Sequence, residues 1–223
     1  MNTEVLQLWK ESFWTILQPG LQYTIPLTLV SFGLGLLIAI LSALCQVGNV
    51  KVFKQIFQLY VWIFRGTPLL VQLFIVFYGL PNIGIMLEAI PSAILTFSLN
   101  VGAYASETIR GSILAVDTGQ KEAAYACGFT YAQTMYHIVL PQAIKNSIPA
   151  LFNTFIGLVK DTSLAANITV AEMFQVTQNI VARTYEPLWL YIEVAFIYLI
   201  FCTVLTRVQK YIEARWNLKE GAV

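Results

Sequence analysis

Residues 122–141 read EAAYACGFTYAQTMYHIVLP, a soluble-looking stretch set between long apolar runs. It opens on the helix-favouring Glu122-Ala123-Ala124, is interrupted at Gly128, and runs on to Ile138 and the turn pair Leu140-Pro141. Asp117 or Thr118 supplies an N-cap for a short helix starting near Gln120, which would set Glu122 in the positive first turn. Ala123, Ala124 and Ala126 give that helix a narrow, smooth face suited to a groove on a partner. Gly128 permits a sharp turn into a second short helix, Tyr131 to Tyr136. Pro141 is expected to block simple continuation and redirect the chain. The expectation is a rigid two-helix elbow, on a chain that displays no other sizeable polar segment.

Composition sets the class. The 223 residues are 57% hydrophobic and 11% charged, with a mean hydropathy of +0.68. Soluble domains are about a quarter charged, so several apolar spans fit here and a large soluble domain does not. A formal net charge of +1 gives no reason to expect a nucleic-acid partner. Cys45, Cys127 and Cys202 are far apart and lack CxxC or Cys/His spacing, which argues against a disulfide framework or a metal site. His137 has no nucleophile or carboxylate beside it in sequence, and no GxxxxGK[ST] phosphate loop occurs. No catalytic residue is therefore expected, and the chain itself should neither bind nor hydrolyse ATP. Glu4 precedes Lys10 at the N-terminus, unlike a cleavable secretion signal.

Five apolar runs follow one another: Tyr23–Leu44, Ile56–Tyr78, Ala89–Thr108, Ile148–Val170 and Leu188–Thr206. Each approaches the ~20 residues that carry a helix across about 30 Å of hydrocarbon. The fourth is broken up by Lys160, Asp161, Asn167 and the nearby Glu172. The expected fold is an all-α membrane protein with five transmembrane helices. Ahead of them, Leu6, Trp9, Phe13 and Ile16 recur at helical spacing, so residues 1–20 should form an external amphipathic helix with Trp9 and Trp14 at headgroup depth. Lys51, Lys54, Arg110, Lys121, Lys145, Arg207, Lys210, Arg215 and Lys219 fall on one side of such a bundle, against Lys10 and Arg183 on the other. Excess Lys and Arg mark the cytoplasmic side. The N-terminus is then outside and the C-terminus cytoplasmic, dividing the chain into the external helix, a five-span domain over 21–215 with a cytoplasmic loop at 110–145, and a cytoplasmic tail at 216–223.

Taken together, Glu122-Ala123-Ala124, Gly128, Ile138 and Leu140-Pro141-Gln142-Ala143 resemble the EAA loop by which permease subunits of binding-protein-dependent ABC importers dock on their ATPase. Three segments are similar to the polar-amino-acid (histidine/glutamine-type) branch of these permeases. They are Arg65-Gly66-Thr67-Pro68-Leu69-Leu70-Val71-Gln72, then Ala103-Tyr104 with Glu107 and Arg110-Gly111, and Lys160-Asp161-Thr162-Ser163-Leu164. The run Thr184-Tyr185-Glu186-Pro187 into the fifth span looks most like cystine-type permeases. Cys127 departs from the pattern, since such loops often have Leu there. The resemblance implies a type I ABC importer permease fold and a non-catalytic subunit of an amino-acid importer in the bacterial cytoplasmic (inner) membrane, surrounded by lipid. It implies two ATPase subunits that hold ATP and Mg, a second copy of this permease or a homologous one, and an extracytoplasmic amino-acid-binding protein, separate or fused elsewhere. Glu122, Ala123, Ala124, Gly128, Leu140 and Pro141 would form the ATPase-coupling surface.

Charges inside the spans suggest a substrate path, because each costs a few kcal/mol in hydrocarbon. A count along straight helices at about 1.5 Å per residue puts Arg65 roughly 13 Å deep, near the depth of Lys160 and Asp161. Arg65 offers a fork of donors to a carboxylate, and Asp161 can accept from an ammonium. Arg65 paired with Asp161 is the structural alternative. Asn100 and Tyr104 lie along the third span, and Gly66 and Pro68 can loosen the second. Thr67, Thr162 and Ser163 are either path residues or inter-helix hydrogen-bonding groups. Glu107 and Arg110, at i and i+3, read as a local ion pair. Glu193 would line an entrance or snorkel outward. The alternative function is a secondary transporter or channel subunit driven by an ion gradient, with Asp161, Glu193 or Lys160 titrating. The lack of a paired repeat and the odd number of spans argue against it.

Overall fold

Prolines govern how these helices bend. The computed structural model describes residues 3–48 and 51–216. Among the described residues, a five-residue π-helical segment ends two positions before each of Pro26, Pro81 and Pro141: Gly20–Thr24, Ile75–Gly79 and Met135–Val139. A proline has no N–H to close an α turn, and its ring crowds the carbonyl four residues back. Widening the preceding turn moves that carbonyl aside, so the helix continues.

Helix α1 (Thr3–Pro19) accordingly runs through the first π segment into α2 (Ile25–Val47). The separate interfacial helix expected for residues 1–20 is instead the first part of one long helix; Met1 and Asn2 lie outside the described residues. The helix α1 runs beside α10 (Pro187–Arg215), in the same direction. The Trp9 indole N–H donates to the Trp189 carbonyl, Ser12 meets Glu193, and Gly20 abuts Phe201. Glu193 is therefore buried against α1, and neither lines an entrance nor snorkels outward.

The centre of the molecule is the pair α2 and α5 (Ala89–Leu114), which run parallel. Ser31, Gly35 and Ala39 on α2 meet Ala93, Phe97, Val101 and Ala105 on α5, all buried and spaced four residues apart. Small residues let the two backbones approach closely. A Cβ on Gly35 would stand 2.8 Å from the Val101 Cβ and 2.9 Å from the Ser98 carbonyl oxygen. Gly35→Leu should therefore force the pair apart and destabilise the protein by about 1–3 kcal/mol. The melting temperature of the purified protein in detergent measures this, and a wild-type value would contradict it.

Between α2 and α5 the chain returns through α3 (Lys51–Gly66) and α4 (Leu69–Phe74), and the two halves meet at an angle of 106°. The single straight span expected over Ile56–Tyr78 is thus broken at Thr67-Pro68. Beyond α5 come α6 (Thr118–Ala126), α7 (Tyr131–Thr134) and α8 (Leu140–Asp161). Helix α8 runs back along α5, from Ala143 near Ile113 to Leu158 near Val101. The fourth helix begins at Leu140 rather than Ile148 and stops at Asp161, where a 3₁₀ segment, Thr162–Ile168, takes over. The Thr162 and Ser163 hydroxyls and the Asn167 amide each donate to a carbonyl three residues back, which favours the tighter turn. Helix α9 (Met173–Thr184) then leads into α10, which lies antiparallel to α8, with the Gln209 amide near the Pro149 carbonyl and Asn153.

Among the described residues, Val5–Val47 and Pro187–Arg215 are each long and apolar enough to cross a membrane, with the bent pair a third such unit if taken as one. Beyond Trp216, the expected tail lies outside the described residues, as does Lys219.

Candidate functional site

The elbow is closed by local hydrogen bonds at each end of its short helices. The Asp117 carboxylate accepts from the Gly119 N–H at 2.7 Å and caps α6. Since α6 starts at Thr118, two residues before Gln120, Glu122 falls beyond the first turn and is simply exposed. At the other end the Phe129 N–H donates to the Ala124 carbonyl and the Gly128 N–H to that of Tyr125, with Gly128 at φ +83°. This is a Schellman termination, which needs a left-handed residue at Gly128. Thr130 and Gln133 then form a reciprocal capping box at the start of α7. The sequence carries this signal locally, as Thr130-x-x-Gln133.

Helix α7 continues through its π segment into α8, so Pro141 sits in the first turn of α8 and does not redirect the chain. The widened π turn, Met135–Val139, accommodates the proline ring and its missing N–H. Val139 and Ala143 are buried with Ile113 and Val116, and Val47, Met135 and Leu140 pack around them. The elbow is thereby rooted on the ends of α2, α5 and α8. Ala124 turns inward, while Glu122, Ala123 and Pro141 remain exposed. The outward surface is more aromatic than the alanine triplet suggests, with Tyr125, Phe129, Tyr131 and Tyr136 exposed and His137 edge-on to Phe129 and Tyr136. The arrangement can transmit a push as a rigid body.

A second feature lies around the break in α3–α4. Pro68 cannot donate to the Phe64 carbonyl, and the Gln72 amide does so instead, at 2.8 Å. The same amide faces the Thr67 carbonyl and hydroxyl, and its oxygen accepts from Asn100 of α5 at 3.0 Å. Gln72 thus satisfies the broken ladder and ties it to α5. The sequence reading included Gln72 in a motif without giving it this role.

Two cavities adjoin the break. One, of about 550 Å³, is lined by Gln46, Gln58, Trp62, Arg65, Tyr104, Glu107 and Arg110. The other, of about 370 Å³, is lined by Thr67, Pro68, Asn100, Thr154 and Asp161, and shares Tyr104 with the first. Five of the expected path residues, Arg65, Thr67, Asn100, Tyr104 and Asp161, are therefore gathered here. The others are not. Lys160 and Ser163 face a separate cavity of about 680 Å³ between α8 and α10, beside Tyr198 and Cys202. Thr162 is buried and donates to the Val159 carbonyl.

The Arg65–Asp161 pair is not formed. Arg65 approaches Glu107 at 3.5 Å and lies over the Tyr104 ring, 5.5 Å from its centroid. Asp161 has no ion-pair partner among the described residues. The 106° bend is the reason, because depths counted along a straight second span do not apply to a broken one. Glu107 and Arg110 do pair as expected, through two hydrogen bonds of 2.9 and 2.8 Å.

The family model for the binding-protein-dependent transport system inner membrane component matches residues 9–218. The L-cystine transport system permease protein TcyB of Bacillus subtilis (strain 168) is 53% identical over 207 residues, covering 92% of this chain and 88% of that one. The arginine transport system permease protein ArtQ of the same organism is 38% identical over 197 residues, covering 88% of this chain and 90% of that one. The crystal structure of an amino acid ABC transporter with histidines superposes with a TM-score of 0.90 at 33% identity, covering 96% of this chain and 100% of that one.

Proposed function

This chain belongs to the family of binding-protein-dependent transport system inner membrane components, and from that premise we propose that it is the permease subunit of an ATP-driven amino-acid importer with cystine as its substrate. The observation that carries the reading is the elbow, a doubly capped pair of short helices rooted on the ends of α2, α5 and α8. The full-length similarity to a cystine permease supports the substrate.

In this reading the chain crosses the membrane five times, as α2, the bent pair α3–α4, α5, α8 and α10. The N-terminus is outside and the C-terminus cytoplasmic. Supporting this, α2, α5 and α10 run one way and α8 the other, with the Lys and Arg excess at the elbow end. ATP and Mg are held by two ATPase subunits, each docked on an elbow. A second copy of this chain or a homologous permease completes the pathway, and an extracytoplasmic binding protein delivers the substrate. When the ATPases move, Glu122, Ala123, Gly128 and Pro141 take the push, while Ala124 and Leu140 pass it to the bundle. The cavities at the helix break open and close in response, with Thr67, Asn100, Tyr104 and Asp161 along the path and the Asp161 carboxylate accepting from the substrate's ammonium. Family membership sets aside the ion-driven carrier.

Cysteine accessibility tests the orientation on which ATPase docking depends. A cysteine placed at Asn82 or Gln178 should be labelled by an impermeant reagent in intact cells. One at Gln120 should be labelled only after permeabilisation. Labelling of Gln120 from outside would remove the elbow from the ATP-containing compartment and contradict the proposal.

A further inference from the structure

We infer that the cavity between α3 and α5 is a carboxylate subsite in which Arg65 takes the carboxylate of the transported amino acid; this rests on the importer reading above. Three charged side chains line that cavity, two guanidiniums and one carboxylate. The division of labour among them is unequal. Arg110 holds Glu107 through two short hydrogen bonds, at 2.9 and 2.8 Å. Arg65 reaches one oxygen of the same carboxylate at 3.5 Å, too long for a good hydrogen bond. The charge of Glu107 is thus already balanced by Arg110, and the donors of Arg65 remain available. Its guanidinium lies over the Tyr104 ring, and the side chain lines the cavity and is 44% exposed.

A surplus cation within a membrane bundle favours a counter-anion. A planar fork of N–H donors fits a carboxylate through two parallel hydrogen bonds. Gln46 and Gln58 line the same space and can supply further polar contacts. Across Tyr104, the neighbouring cavity holds Asp161, which carries the opposite charge and no ion-pair partner among the described residues. A cationic and an anionic group therefore stand on the two sides of Tyr104. Arg65 exchanges Glu107 for the substrate's carboxylate, and Arg110 keeps Glu107 neutralised meanwhile.

The test uses the purified permease–ATPase complex in lipid nanodiscs without the binding protein, with radiolabelled L-cystine and radiolabelled cystamine as probes. Cystamine keeps the disulfide and both amines but lacks the carboxylates. Arg65→Gln should weaken cystine binding at least about tenfold, the equivalent of ~1.4 kcal/mol. Glu107→Gln should bind cystine at least as tightly as wild type, because it frees Arg65 further. Cystamine should bind wild type and Arg65→Gln alike. Arg65→Lys keeps the charge without the fork; it should bind cystine several-fold more weakly than wild type and gives the reading if Arg65→Gln fails to assemble.

Unchanged cystine binding in Arg65→Gln or Arg65→Lys would overturn the inference. So would equal losses in Arg65→Gln and Glu107→Gln, which would leave Arg65 as a structural partner of Glu107. No saturable cystine binding by wild type up to the solubility limit would overturn it too. Wild-type uptake with no effect of Arg65 refutes the subsite alone, whereas absence of ATP-driven uptake by wild type refutes the functional reading.

Discussion

Gly128→Val is expected to cut ATP-driven uptake about five- to thirtyfold, since a left-handed backbone costs an L-residue about 1–2 kcal/mol. The cost is conformational rather than steric. Gly128 has φ +83°, and a Cβ placed there meets nothing within 4 Å. The strain is relieved by undoing the Schellman termination, which frees α6 from its fixed angle to α7. Gly128→Asn is the control, because Asn tolerates the left-handed region, and it should retain most uptake. Glu122→Lys should act at the surface instead. Glu122 is exposed and outside the first turn of α6, so reversing its charge should leave the fold intact while the ATPase no longer co-purifies. Normal uptake in Gly128→Val together with normal ATPase recovery in Glu122→Lys would remove the elbow from the coupling mechanism.

Gln72→Leu is expected to be the most damaging single change near the helix break. It leaves the Phe64 and Thr67 carbonyls without their amide donor, at about 1–3 kcal/mol for each group left unsatisfied, and deprives Asn100 of its acceptor. The melting temperature of the purified complex should fall sharply, and uptake with it. Pro68→Ala restores an N–H that can donate to the Phe64 carbonyl, so the double variant should recover much of the stability. It should not recover uptake, because the restored ladder straightens the bend on which both cavities depend. A wild-type melting temperature for Gln72→Leu would contradict this role, and full uptake in the double variant would show that the bend is dispensable.

The same residues show what the sequence makes legible. The long helices α5 and α10 follow from their apolar runs, and their observed starts at Ala89 and Pro187 lie close to Ala89 and Leu188, whereas α2 continues α1 with no break near Tyr23. The elbow is legible because its signals are local: Asp117 as a cap and Gly128 as a left-handed stop each act within a few residues. The path was read less well. Pro68 marks a loosened helix in the sequence, but a depth for Arg65 counted along a straight axis points to Asp161 as its partner, and the bend moves Arg65 to Glu107 instead. The angle at a proline break is set by what repairs the lost hydrogen bond. Here that is Gln72, an amide whose role depends on a carbonyl eight residues away and on Asn100 of another helix. Pro141 misled for a related reason, since a π turn absorbs a proline when both sides of the helix are held by packing. Lys160 and Ser163 were grouped with Asp161 by adjacency in sequence, but neighbouring residues on a helix and its 3₁₀ extension face different sides.

The most direct measurement is cystine uptake by proteoliposomes containing the permease and its ATPase, with the binding protein on one side and ATP on the other. Concentrative cystine uptake is expected only when ATP is on the elbow side and the binding protein on the opposite side. Uptake that persists without ATP, or that follows an imposed ion gradient instead, would contradict an ATP-driven importer.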